Sequence, residues 1–68
     1  MELTINGEQH KLDAAELTVA ALLVELQIEQ KRGIAVARNR EVVPRSRWET
    51  EFVTQDDEIE IVRATQGG

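Results

Sequence analysis

A chain of 68 residues forms one domain, and a core of this size buries only about 60% of the surface the unfolded chain exposes, so one compact core must supply the stability. Thirteen acidic against eight basic residues give a net charge of −5, which argues against a nucleic-acid partner and points to basic protein surfaces, because phosphate binding needs clustered positive charge. Without cysteine there is no disulfide framework and no thiolate nucleophile or metal ligand, as suits a reducing cytosol. The longest apolar run, Val19 to Val24, is too short for a membrane span or signal sequence, so the expected protein is soluble and cytoplasmic.

The chain opens on alternating apolar and polar residues. Met1, Leu3 and Ile5 alternate with Glu2 and Thr4, and Asn6-Gly7 precedes a second extended run from Glu8 to Leu12, which predicts a β-hairpin with a type I′ turn. In that register Leu3 faces His10, Ile5 faces Glu8 and Glu2 pairs with Lys11. Thr18 is placed to cap a helix running to about Gln27, with Leu17 packed on Leu22 as a hydrophobic staple. Val19, Leu22, Leu23 and Leu26 share one face, so the helix has a single apolar stripe and lies on a sheet. Ile34 to Arg38 reads as the third strand. Asn39-Arg40-Glu41 turns the chain into a short edge strand, Val42-Val43, which Pro44 ends. Arg45 to Trp48 reads as a helical turn, Asp56-Asp57 as a turn of solvated carboxylates, and Glu58 to Arg63 as the last strand, with the clearest two-residue period in the chain. This order predicts an α+β roll of the β-grasp (ubiquitin-like) type, a mixed sheet of four to five strands with one main helix on one face. Residues 1–63 form that domain and residues 64–68 a flexible tail.

The body of the chain offers little catalytic chemistry. His10 is the only histidine and sits opposite Leu3, so a zinc site would have to be built from carboxylates alone. Ser46 is the only serine, lies between two arginines and has no glycine elbow. Asp56, Asp57 and Glu58 lack the alternating oxygen ligands and central glycine of a calcium loop. Arg38, Arg40, Arg45, Arg47 and Arg63 read more readily as solvated side chains than as one patch. Trp48, with Phe52, is expected to close one end of the core. No metal site is expected, and any chemistry falls to the chain end.

The last two residues are Gly67-Gly68, a pairing that arises by chance in roughly 0.5% of chains. Glycine has no Cβ to obstruct a carboxylate threaded into another protein's active site. Together with Asn6, Val36-Ala37-Arg38-Asn39, Val43-Pro44-Arg45 followed by Trp48, and Asp57-Glu58-Ile59-Glu60-Ile61, this ending resembles the ThiS family of ubiquitin-like sulfur carriers of thiamine biosynthesis over the whole chain.

The resemblance implies a co-substrate rather than an enzyme, with no bound cofactor. An E1-like adenylyltransferase (ThiF type) would use ATP and magnesium to adenylate the Gly68 carboxylate. Sulfur from a cysteine desulfurase would convert it to a thiocarboxylate, which thiazole synthase (ThiG type) would consume. Gln66 and Gly67 would give the terminus access to those active sites. Docking is expected on the outer sheet face, at an apolar patch of Ala35, Ala37 and Val62 with Arg38 and Arg63 nearby. The competing readings are a molybdopterin-synthase small subunit, a ubiquitin-like protein modifier and a non-covalent interaction module. The segment from Val43 to Trp48 favours thiamine.

Overall fold

The computed structural model describes residues 1–28 and 32–63. Strands β1 (Glu2–Ile5) and β2 (Glu8–Lys11) form the first hairpin, and β3 (Glu16–Thr18) runs directly into helix α1 (Val19–Glu25). After them come β4 (Ile34–Arg38), β5 (Glu41–Val43), a 3₁₀ turn (Arg45–Arg47), β6 (Phe52–Thr54) and β7 (Glu58–Arg63). The main sheet has the order β2-β1-β7-β4-β5. Its last strand is therefore its middle one, parallel to β1 and antiparallel to β4.

Hairpin pairing follows the sequence register: Leu3 lies opposite His10, Ile5 opposite Glu8 and Glu2 opposite Lys11. Asn6 and Gly7 have φ of 50° and 83°, the two left-handed residues of a type I′ turn, whose twist matches that of the flanking strands. A second turn of this kind joins β4 to β5, with Asn39 at φ 52° and Arg40 at φ 71°. Asparagine tolerates that region, but a residue with a long side chain pays about 1–2 kcal/mol there. Arg40 also pairs with Glu58 at 3.6 Å, yet its side chain is 85% exposed and such a pair contributes little. Arg40→Gly is therefore expected to stabilise the domain by about 0.5–1 kcal/mol, a Tm gain of roughly 4 °C in thermal unfolding.

Thr18 caps the helix as its position predicts, with Oγ1 accepting from the Ala21 N–H at 3.1 Å. The preceding amides are satisfied by tertiary partners: Val19 donates to the Glu51 carbonyl and Ala20 to that of Trp48. The helix ends at Glu25, two residues before the expected end. There Gln27 takes φ 60°, its N–H bonds the Val24 carbonyl and the Ile28 N–H bonds that of Leu23. These are the two bonds of a Schellman ending, and Ile28 packs against the core beyond it.

The core sits between the helix and one face of the sheet. Val19, Leu22 and Leu23 meet Leu3 and Ile5 of β1, Val36 of β4, Val43 of β5 and Ile59 of β7, with Val53 and Trp48 completing the cluster. The Trp48 indole Nε1 donates to the Val43 carbonyl at 2.9 Å, so its one polar atom is satisfied while the ring is buried. Phe52 does not share that role; it is 44% exposed. The alternation of β6 turns Val53 inward instead. Strands β3 and β6, absent from the sequence reading, pair antiparallel as a separate two-stranded sheet. At three residues each they are too short to show a period, and their pairing becomes visible only once α1 and β7 have brought them together.

Candidate functional site

The outer face of the sheet is built by register. In β4 the two-residue period turns Val36 into the core and leaves Ala35 and Ala37 on the opposite face. Ala35 lies beside Val62 and Ala37 beside Glu60 across the β4–β7 ladder. Ala37 also lies beside Val42 across β4–β5. These residues line a shallow depression with two small alanines at its floor and Glu60 at its side. Val42 and Val62 are 68% and 59% exposed, so two branched apolar side chains stand open to solvent beside the two alanines.

Ala35, Ala37 and Val62 are thus brought together, and Val42, which the sequence marks only as part of an edge strand, belongs with them. Its pairing with Ala37 follows from a turn one residue shorter than Asn39-Arg40-Glu41: Glu41 joins β5 opposite Arg38, and the two-residue Asn39-Arg40 loop fixes the register. Arg38 and Arg63 do not join the patch. Each lies an odd number of residues from the outward positions and so falls on the helix side of the sheet, Arg38 opposite Glu41 and Arg63 opposite Ile34. Gln66, Gly67 and Gly68, with the rest of the 64–68 tail, lie outside the described residues.

Arg38 instead serves a charge cluster beneath the β6–β7 turn. Its Nε donates to Asp57 Oδ2 at 2.7 Å, and its Nη1 lies 3.7 Å from Glu51. Asp57 also accepts from the Thr54 N–H at 2.8 Å and from Asn39 Nδ2 at 3.0 Å. Asp57 is therefore not a solvated turn carboxylate; it is 7% exposed. Burial pushes its carboxyl pKa up, but the hydrogen bonds from Arg38, Thr54 and Asn39 and the Arg38 charge outweigh that and hold it below the usual range. Two more arginines are engaged locally: Arg47 lies 3.8 Å from Glu51 and Arg45 stacks over the Trp48 ring at 5.4 Å.

Two asparagines hold the central strand, one at its first residue and one at Ile61. Asn39 Oδ1 accepts from the Glu58 N–H at 2.9 Å where β7 begins. Asn6 Oδ1 accepts from the Ile61 N–H at 2.8 Å and its Nδ2 donates to the Ile61 carbonyl at 3.1 Å. Both occupy the first left-handed position of a type I′ turn, so each turn residue extends a ladder with its side chain. Among the described residues no group of three His, Cys, Asp or Glu is placed to hold a metal ion, and no helix is long and apolar enough to cross a membrane.

A helix laid across a mixed five-stranded sheet with a parallel β1–β7 centre is the ubiquitin-like β-grasp fold. The crystal structure of a thiamine biosynthesis protein (ThiS) from Geobacter metallireducens matches it with a TM-score of 0.90 at 33% identity, covering 100% of both chains. The solution structure of a thiamine biosynthesis protein from the same organism matches with a TM-score of 0.81 at 33% identity, covering all of this chain and 88% of that one. The ThiS family model matches residues 2–68, and the chain belongs to the ThiS family. It is also 43% identical over 68 residues to a protein named thiazole synthase from Paramagnetospirillum magneticum and 35% identical to one of the same name from Magnetococcus marinus. It spans only 20% of the length of these curated relatives.

Proposed function

We propose that this chain carries sulfur as a thiocarboxylate on Gly68 for assembly of the thiazole moiety of thiamine. The observation that carries this reading is a family match that runs through residue 68 and so includes Gly67-Gly68. The fold supports it by making the strand that leads to those residues the middle strand of the sheet, bonded to neighbours on both sides.

In the proposed cycle the Gly68 carboxylate attacks the α-phosphorus of ATP on an E1-like adenylyltransferase of the ThiF type, and magnesium pyrophosphate leaves. A persulfide sulfur derived from a cysteine desulfurase attacks the acyl carbon and AMP leaves. A thiol then cleaves the resulting acyl disulfide, releasing the thiocarboxylate. Thiazole synthase of the ThiG type takes up that sulfur and returns the carboxylate. The chain contributes no catalytic group and no cofactor of its own; it is a co-substrate. The two relatives in which a segment like this one makes up part of a protein named thiazole synthase support that pairing. The patch of Ala35, Ala37, Val42 and Val62 is the proposed docking surface, and with Glu58 and Glu60 at outward positions it suits a partner with an apolar centre and a basic margin.

The test is intact-mass analysis of the 68-residue chain after incubation with an E1-like adenylyltransferase, ATP, magnesium and a sulfur donor. The expected result is a mass gain equal to one oxygen replaced by sulfur. An unmodified mass, with an enzyme that converts a known carrier in parallel, overturns the reading. Val62→Glu places a second carboxylate beside Glu60 and is expected to raise the KM for the carrier about tenfold. An unchanged KM removes this face from the docking surface.

A further inference from the structure

The hairpin turn between β1 and β2 reaches across to the strand that leads to Gly68. The β1–β7 register ends at Ile5 opposite Ile59, with the Asn6 N–H donating to the Ile59 carbonyl at 2.9 Å. There the β1 backbone turns away into the hairpin. The Asn6 side chain takes the place of a next strand residue: one amide bonds both the N–H and the carbonyl of Ile61, at 2.8 and 3.1 Å. On its other side β7 stays in register with β4 as far as Arg63 opposite Ile34. The amide therefore decides whether Glu60 to Arg63 is held on two sides or on one.

We propose that Asn6 is a positioning residue for the carrier reaction, fixing the point from which the residues leading to Gly68 are presented to the activating enzyme. The inference rests on the sulfur-carrier reading above. Seven residues follow Ile61, and they reach at most about 25 Å when fully extended. An active site that must receive Gly68 while the body docks on its own surface has only that length to work with. Where β7 is pinned on both sides, its last residues are already ordered when the body docks. Where it is pinned by β4 alone, they must be ordered during binding, and the loss appears in KM rather than in the chemical step.

Asn6→Gly separates this role from the turn. Glycine accepts φ 50° without strain, so the hairpin is kept while the amide is lost. Asn6→Asp keeps an acceptor for the Ile61 N–H but has no N–H for the Ile61 carbonyl, and it too tolerates the left-handed region. Expected for Asn6→Gly are an unchanged circular dichroism spectrum and an Ile61 amide exchange rate raised at least about tenfold. In adenylation by the E1-like enzyme its KM rises about three- to tenfold with kcat within about twofold. Asn6→Asp falls between Asn6→Gly and wild type. Unchanged Ile61 exchange overturns the proposal, and so does faster exchange with an unchanged KM, which makes the amide structural only. Failure of the wild-type chain to be adenylated sinks the carrier reading and this role together; failure confined to the variant comparison sinks this inference alone.

Discussion

Deleting Gly68 is expected to abolish thiocarboxylate formation while leaving Tm within about 2 °C of wild type. The deletion leaves a carboxylate, now on Gly67, but withdraws it by one residue, about 3.3–3.6 Å of chain. Misplacing a reacting group by about 1 Å is enough to lose roughly a hundredfold in rate. Gly68→Ala keeps the reach but adds a Cβ beside the acyl carbon, and it is expected to slow conversion without stopping it. Neither change touches the buried cluster, whose members lie between Leu3 and Ile59. Intact mass after activation and thermal unfolding by circular dichroism check the two halves separately. A deletion variant that is still converted, or one that is unfolded, contradicts the division between the folded body and the reactive end.

Asp57→Ala is expected to destabilise the domain by about 3 kcal/mol, since breaking a buried pair leaves its partners uncompensated. Three donors lose their acceptor at once: the Arg38 guanidinium, the Thr54 amide and the Asn39 side chain. The loss falls at the low end for buried pairs because the Arg38 side chain is 30% exposed and water takes up part of its charge. The same cluster gives an acid dependence. Folding lowers the Asp57 pKa from its ordinary value, so its contribution is fully present above the unfolded value of about 3.9 and is lost as pH falls through the lower folded value. Urea unfolding from pH 7 down to pH 2 should show wild-type stability falling below about pH 4. Asp57→Asn should lose much of that slope, and an unaltered slope would assign the acid dependence to other carboxylates.

Legibility in the sequence differed from residue to residue for physical reasons. Asn6-Gly7 and the alternation around it gave the first hairpin with its register, because a two-residue turn leaves only one pairing of the strands it joins. Thr18 and the Val19-Leu22-Leu23 stripe gave the helix start and its buried face. The helix end was misplaced, because Gln27 has no intrinsic preference for the left-handed region it adopts. The alternation of Ile34 to Arg38 and of Glu58 to Arg63 placed Ala35, Ala37 and Val62 on one face. The same parity puts Arg38 and Arg63 on the other.

Local sequence, through turn chemistry, capping and period, determined the order of the helix and the five main-sheet strands, the face the helix buries and the Gly-Gly ending that the family match includes. Only the tertiary structure decided which distant residues share a site. The separation of Arg38 from Asp57, of Asn6 from Ile61 and of Val42 from Val62 along the chain carries no period. Those groupings arise because β7 enters the sheet between β1 and β4. The insertion buries Asp57 against Arg38, brings Ile61 within reach of the first hairpin turn and sets Val62 beside the alanines of β4.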